Sequence, residues 1–206
     1  MAFQTTITTG FLKTKDFSID EESIIFDDTQ MMCSEVTGFA YGYTVTRVSG
    51  IKANTTYSFQ FLDSSGDKIT FNYVNALLGS PNDEDAYSRI IEEIWKCFGT
   101  RLLHEMISTI SRGISVTVAG VTFSNYGITT TYKPFFGSNR DILTKWDEVT
   151  HKIDNGNLII GSKVDKDVWA AFEFQFNINA HLISEILNKN ANETTIRDII
   201  TGKKKI

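Results

Sequence analysis

The chain has 206 residues, of which 41% are hydrophobic and 12% aromatic, and this composition excludes an intrinsically disordered protein. The length allows one large or two small domains, each with its own core. The net charge of −5 is uneven, since residues 1–112 hold nine basic and fifteen acidic side chains (net −6), whereas residues 113–206 are near neutral at +1. This acidic first half argues against nonspecific nucleic-acid binding and against simple attraction to an anionic membrane.

Two features bear on the cellular compartment. Cys33 and Cys97 are the only cysteines, too few for a disulfide framework or a zinc site, so we expect free, packed thiols. The sequence has no basic region followed by an apolar run at its N-terminus, and no apolar run long enough to span a bilayer. We therefore expect a cytoplasmic protein.

The first part of the chain predicts an antiparallel meander. Apolar and polar residues alternate in short stretches, and the turns between them are too short for parallel crossovers. The predicted strands cover residues 11–19, 23–26, 33–48, 55–62 and 69–73.

One long amphipathic helix is predicted over residues 83–112. Acidic residues suit its N-terminus, and Gly113 is a typical stop signal. The early apolar positions share one face, but later ones are rotated from it by about a quarter to a third of a turn. The rotation indicates a kink, a wider buried face, or contact with a second body. Because a new unit begins at Gly113, we favour an interdomain contact for the rotated residues: Leu103, Met106, Ile107 and Ile110.

The rest of the chain predicts a second, similar unit. Its expected elements are strands 114–118 and 121–123, a loop 129–140, strands 143–152, 158–162 and 168–176, and a helix 178–187. A hairpin is predicted at Asn155-Gly156. The halves also align locally: 34–37 with 147–150, 66–69 with 166–169, and 24–26 with 121–123. We interpret this as a duplication.

The segment Lys145-Trp146-Asp147-Glu148-Val149 enters a strand of a small meander that ends in one helix. In this respect the chain resembles the bacterial pleckstrin-homology-like domains related to the GRAM type, over about residues 14–190. The resemblance implies a mainly β, α+β fold with two tandem units, each a bent antiparallel sheet or barrel of seven strands closed by a C-terminal helix. The domains would then be residues 1–112 and 113–190, followed by a short helix and basic tail over 191–206.

The family implies a noncatalytic module that binds lipid, peptide or protein and needs no cofactor. Its phosphoinositide-binding members carry Lys and Arg around the first hairpin. Here the corresponding hairpins are read as Asp20-Glu21-Glu22 and Ala119-Gly120. A protein or peptide partner is therefore favoured over a lipid headgroup, and no nucleic acid is expected. The sequence leaves the oligomeric state open.

No reaction is indicated by the motifs. His104-Glu105 begins like a zinc-protease helix, but Ser108 replaces the second histidine. His151 and His181 lack partners at ligand spacing, and the adjacent carboxylates at 27–28 and 92–93 are interpreted as surface charge. We predict no catalytic, cofactor-binding or metal-binding residue.

The candidate interaction surface is an aromatic and basic loop comprising Tyr132, Lys133, Phe135, Phe136 and Arg140. The alternative is that its two phenylalanines fill the mouth of the second barrel. In the first unit, Tyr41 and Tyr43 could likewise form either a surface contact or part of the core. The predicted function is a noncatalytic binding or scaffold module. The alternatives are an enzyme whose site is assembled from dispersed residues, and a self-associating structural subunit.

Overall fold

The computed structural model describes residues 3–9, 13–76, 82–132 and 138–188. The chain forms two compact units, Met1–Leu102 and Leu103–Ile206. Four antiparallel sheets dominate the described residues, which confirms the expected mainly β class. The division between the units falls inside the long helix, whereas the domain boundary predicted from the sequence follows that helix at Gly113.

The first unit contains two antiparallel meanders. The four-stranded sheet consists of β1 (Phe3–Thr9), β2 (Lys13–Ile19), β3 (Ser23–Phe26) and β4 (Thr29–Met32). The three-stranded sheet consists of β5 (Val36–Val48), β6 (Ile51–Asp63) and β7 (Lys68–Ala76). Alternate residues of these strands face the core, where Phe17, Phe59 and Phe71 stack at ring-centroid distances of 4.9 and 5.1 Å.

Two strands of the first unit were not predicted, because neither shows an apolar alternation. β1 is rich in threonine, and β4 buries only Met31 among its four residues. Their presence makes Asp20-Glu21-Glu22 the turn between β2 and β3, and therefore the second hairpin of the unit. The reading of these residues as the first hairpin was wrong. Residues 10–12, which follow β1 and precede β2, lie outside the described residues.

The long helix is confirmed, but it is interrupted. It consists of α1 (Asn82–Ile94), a π-helical segment (Trp95–Gly99) and α2 (Thr100–Ser111). In the π segment the Thr100 backbone N–H donates to the Trp95 carbonyl oxygen, five residues back, and the Thr100 hydroxyl donates to the same oxygen at 2.9 Å. The segment therefore holds one more residue than a regular α-helix would.

The extra residue explains the rotated apolar stripe. Six buried side chains follow one another at intervals of four: Ile90, Ile94, Phe98, Leu102, Met106 and Ile110. In an uninterrupted α-helix this series would drift through about 200°, at about 40° for each interval. One inserted residue returns the series by about 100°, so both halves of the stripe occupy the same side of the helix.

The second unit again contains two meanders. Its four-stranded sheet consists of β8 (Val116–Val118), β9 (Val121–Phe123), β10 (Gly127–Tyr132) and β11 (Arg140–Lys145). Its three-stranded sheet consists of β12 (Val149–Asp154), β13 (Asn157–Ser162) and β14 (Trp169–Glu173), and α3 (Ala180–Asn188) follows.

Two predictions for this unit were wrong. The expected loop 129–140 contains most of β10, a run of threonines that lacks apolar alternation. The expected strand 143–152 is divided between β11 and β12 by the turn around Trp146, whose buried indole Nε1 donates to the Ser124 carbonyl oxygen at 2.9 Å. The short C-terminal helix and basic tail lie outside the described residues.

Candidate functional site

The predicted aromatic and basic loop begins and ends on a strand pair. Tyr132 and Arg140 are cross-strand partners at the end of the β10–β11 ladder, and the Arg140 guanidinium lies 5.1 Å from the centre of the Tyr132 ring. Arg140 is exposed and Tyr132 is half-buried. Lys133, Phe135 and Phe136 lie outside the described residues. The assignment of this loop as an interaction surface therefore stays a prediction.

Tyr41 and Tyr43 have different environments. Tyr41 is buried and its hydroxyl accepts a hydrogen bond from Trp95 Nε1 at 3.1 Å, whereas Tyr43 is 59% exposed. The Tyr43 ring packs 6.1 Å from the rings of both Tyr57 and Tyr87. Burial, together with the neighbouring tyrosines, raises the pKa of Tyr87 far above its ordinary value. This hydroxyl therefore stays protonated, so the cluster is a packed aromatic group with one exposed edge.

The expectation of free thiols was wrong. Cys33, which follows β4, and Cys97, at the centre of the π segment, form a disulfide with their Cα atoms 6.0 Å apart. Arg101 fixes the backbone next to this disulfide. Its guanidinium donates to the carbonyl oxygens of Cys33 at 3.0 Å and Val36 at 2.7 Å. The residues are 64 positions apart in sequence, so only the fold reveals the pairing.

An exposed apolar area lies on the outward side of the sheet β12–β13–β14. Gly161 faces Thr150 on one side and Trp169 on the other, and Ile159 pairs with Ala171 beside them. These five residues form what we call the Trp169 face. Trp169 is 62% exposed, an unusual fraction for so large an aromatic side chain.

The glycine gives this face its shape. A Cβ atom at position 161 would lie 3.7 Å from the Trp169 Cβ and 3.8 Å from the Thr150 Cγ2. Because Gly161 has no side chain, a shallow depression lies between Thr150 and Trp169. Lys152, the cross-strand partner of Ile159, borders the face and forms an exposed ion pair with Asp154 at 2.9 Å. The face thus combines one exposed tryptophan and small or aliphatic side chains with a single bordering lysine, which is paired.

The Trp169 face was missed in the sequence, although a signal was present. In the predicted strand 168–176, Val168, Phe172 and Phe174 mark the buried positions. Trp169 belongs to the alternate, outward set. A tryptophan on the outward side of a strand is a recognisable sign of an interaction surface.

The described residues contain no group of three His, Cys, Asp or Glu side chains that could hold a metal ion. His104 is exposed, as expected from its helix position. His151 Nε2 lies 3.0 Å from Asn188 Oδ1, and the His181 ring stacks on Phe174 at 4.4 Å. His151 and His181 thus each contact a different side chain, Asn188 and Phe174 respectively.

A cleft of about 490 Å³ lies over β1, β2 and β3. Asp16 supplies its one carboxylate, which accepts a hydrogen bond from the Thr6 hydroxyl at 3.0 Å. The other lining residues are uncharged: Gln4, Thr5, Thr6, Phe17, Ser18 and Ile25. Among the described lining residues of this cleft, Asp16 is thus the one ionisable side chain.

The four residues proposed for an interdomain contact are all buried: Leu103, Met106, Ile107 and Ile110. Burial alone does not distinguish a contact within one unit from a contact between two. The interdomain role therefore stays a prediction.

None of the described helices has the length and apolar character needed to cross a bilayer. No family model, no curated protein and no solved structure matches this chain.

Proposed function

We propose that the chain is a tandem pair of pleckstrin-homology-like domains that acts as a noncatalytic binding or scaffold module for a protein or peptide partner. The observation that carries this proposal is a repeated order of elements. A four-stranded meander, a three-stranded meander and a helix follow one another twice along the described chain. This order agrees with the seven strands and closing helix that the family resemblance implies.

Matched turns support a duplication. The hairpins β5–β6 and β12–β13 occupy the same place in the order, and each turns through two residues with positive φ, at Ser49-Gly50 (52° and 82°) and Asn155-Gly156 (49° and 75°). Such two-residue turns match the right-handed twist of the strands that they join.

The entries into these hairpins also correspond. The carbonyl of Glu35, just before β5, accepts from the Ser64 N–H at 3.0 Å, and that of Glu148, just before β12, accepts from the Lys163 N–H at 2.8 Å. This supports the alignment of residues 34–37 with 147–150. The alignment of 24–26 with 121–123 was wrong, because β3 is the third strand of its sheet and β9 is the second.

The Trp169 face is the partner surface that the described residues favour. Tryptophan is enriched among residues that dominate protein interfaces, and removing it from water releases a large apolar area. An anionic lipid surface would instead require unpaired positive charge, which Lys152 does not provide. A protein or peptide with a complementary apolar side chain therefore fits this face better than a lipid headgroup.

The test compares Trp169→Ala with the matched control Tyr126→Ala. Tyr126 is 73% exposed in the same unit but is not part of the Trp169 face. A partner captured from an extract of the native cells is purified, and its Kd is measured by calorimetry against each variant. We expect the Kd to rise about 30-fold for Trp169→Ala, as for a residue that dominates an interface, and to stay unchanged for Tyr126→Ala. Equal Kd values for both variants and the native chain would refute the assignment of this face.

Self-association through the Trp169 face is the structural-subunit alternative. Light scattering of the native chain and of Trp169→Ala distinguishes it, since a dimer that becomes a monomer on substitution would identify a second copy as the partner. The expected cytoplasmic location stays a prediction, and the disulfide weighs against it because reducing compartments disfavour such bonds. Imaging of the tagged chain in its native cells tests the location.

A further inference from the structure

The disulfide attaches to the π segment, the part of the long helix that depends on contacts with the surrounding structure. Cys97 is the central residue of the π segment, and Cys33 directly follows β4, the last strand of the four-stranded sheet in the same unit. A π-helical turn is rare because its backbone geometry is less favourable than that of an α-helix. It persists where contacts with the surrounding structure hold it in place.

Several noncovalent contacts hold the π segment besides the disulfide, among them the hydrogen bond from Trp95 Nε1 to the Tyr41 hydroxyl at 3.1 Å. The Trp95 ring covers Gly99, the Thr100 hydroxyl binds the Trp95 carbonyl oxygen, and Arg101 binds the backbone on either side of the turn between β4 and β5. The disulfide is the one covalent tie between this segment and the sheet. It is also the one tie that a chemical reaction can reversibly remove.

We propose that Cys33–Cys97 is a redox-controlled clasp on the π segment, opened by a dithiol reductant that attacks the Cys97 sulfur. Cys33 is only 3% exposed, whereas Cys97 is half-buried, so an incoming thiolate reaches Cys97 more easily. The Arg101 guanidinium donates to the Cys33 carbonyl oxygen at 3.0 Å and so keeps the backbone of the leaving cysteine in place during the exchange.

The reaction is a two-electron exchange. A thiolate of the reductant bonds to Cys97 Sγ while the bond to Cys33 Sγ breaks, and Cys33 leaves as a thiolate that takes up a proton. The second thiol of the reductant then attacks its own sulfur in the mixed disulfide, which releases Cys97 and leaves the reductant oxidised to a disulfide. Two protein thiols replace one protein disulfide.

The structure accommodates the reduced state. Cys33 Sγ lies 3.4 Å from the carbonyl oxygen of Asp20, to which a thiol S–H can donate a hydrogen bond. The buried cysteine thus retains a polar partner after reduction, while Cys97 and the π segment lose their covalent tie. The Phe98 ring of the π segment packs against Phe39 and Phe61 at centroid distances of 5.5 and 5.9 Å, and these contacts do not depend on the disulfide. We therefore expect the aromatic core of β5, β6 and β7 to remain packed when the clasp opens.

The first test maps the point of attack on the full native chain. Incubation with glutathione, a monothiol, traps the mixed disulfide, and peptide mass spectrometry identifies the cysteine that carries it. We expect glutathione on Cys97. Glutathione on Cys33, or no reaction until denaturant is added, would overturn the proposal.

The second test measures the structural response. After reduction with dithiothreitol, hydrogen exchange of the amides at 95–100 should become at least about tenfold faster, with β6 and β13 unchanged. The double substitution Cys33→Ser and Cys97→Ser should reproduce the fast exchange and should not respond to dithiothreitol. Unchanged exchange at 95–100 would refute a clasp, and loss of protection in β6 would show a general staple for the unit instead.

Discussion

Replacing Gly99 with alanine tests the packing of the π segment directly. A Cβ atom at this position would lie 2.8 Å from Trp95 Cε3 and 3.0 Å from Trp95 Cδ2, closer than such contacts allow. The indole ring must therefore move. Its Nε1 would then lose the 3.1 Å hydrogen bond that it donates to the Tyr41 hydroxyl.

The size of the effect follows from three opposing contributions. Overpacking a well-filled site costs about 1–3 kcal/mol, and the lost hydrogen bond costs about 1 kcal/mol. Alanine in place of glycine within a helix returns about 1 kcal/mol. We therefore expect Gly99→Ala to lower the free energy of unfolding of the first unit by about 1–3 kcal/mol, although alanine is the better helix former.

Native-state hydrogen exchange of the β6 amides measures this quantity for the first unit alone. Trp95 fluorescence should change in the same variant, because the ring leaves the Tyr41 hydroxyl. The matched control is Ser88→Ala, an exposed position of α1, which should be neutral or slightly stabilising because it changes helix propensity alone. A Gly99→Ala variant as stable as the native chain would refute the proposed contact between Trp95 and Gly99.

Three further predictions follow from single side chains. Arg101→Met removes two hydrogen bonds to backbone carbonyls and should cost about 2 kcal/mol in urea unfolding, and a loss below about 0.5 kcal/mol would contradict this role. Because burial raises the pKa of Tyr87, its contribution to stability is complete below the unfolded value of about 10 and falls as the pH rises above it. Urea unfolding at pH 9 and pH 11 should therefore show a smaller loss for Tyr87→Phe than for the native chain, and equal losses would exclude this residue as the cause. A hydrogen bond from the Ser65 hydroxyl is the main cause that lowers the pKa of Asp63, so Ser65→Ala should raise that pKa toward 3.8 in an NMR titration, and an unchanged midpoint would assign the shift to the turn amides instead.

The sequence patterns predicted elements best where local chemistry is decisive. Asn155-Gly156 predicted a hairpin because both residues tolerate positive φ, and the strand 23–26 was predicted with its observed bounds. The long helix was also predicted within one residue at each end. In these cases the residues within each element and directly beside it are sufficient to predict the element.

Other features depend on contacts that are distant in sequence. β10 lacks apolar alternation, and Gly127, at its start, would place a Cβ 2.1 Å from the Thr144 carbonyl oxygen of the partner strand. The close approach of β10 to β11 therefore requires glycine at position 127. The local pattern of apolar residues does not indicate this requirement. The disulfide could likewise not be predicted, because the sequence does not give the distance in space between Cys33 and Cys97. The exposure of Trp169 was predictable in principle, because this residue occupies an outward position of the predicted strand 168–176.

The π segment also has an evolutionary consequence. A helix that carries one residue more than its buried positions require is a natural site for a single-residue deletion. Removing exposed Lys96 would convert the segment to regular α-helix while Ile94 and Leu102 keep their side of the helix. Related chains that differ in length by one residue at this point can therefore share the same buried stripe, and an alignment that forbids the gap would misplace every buried position after it.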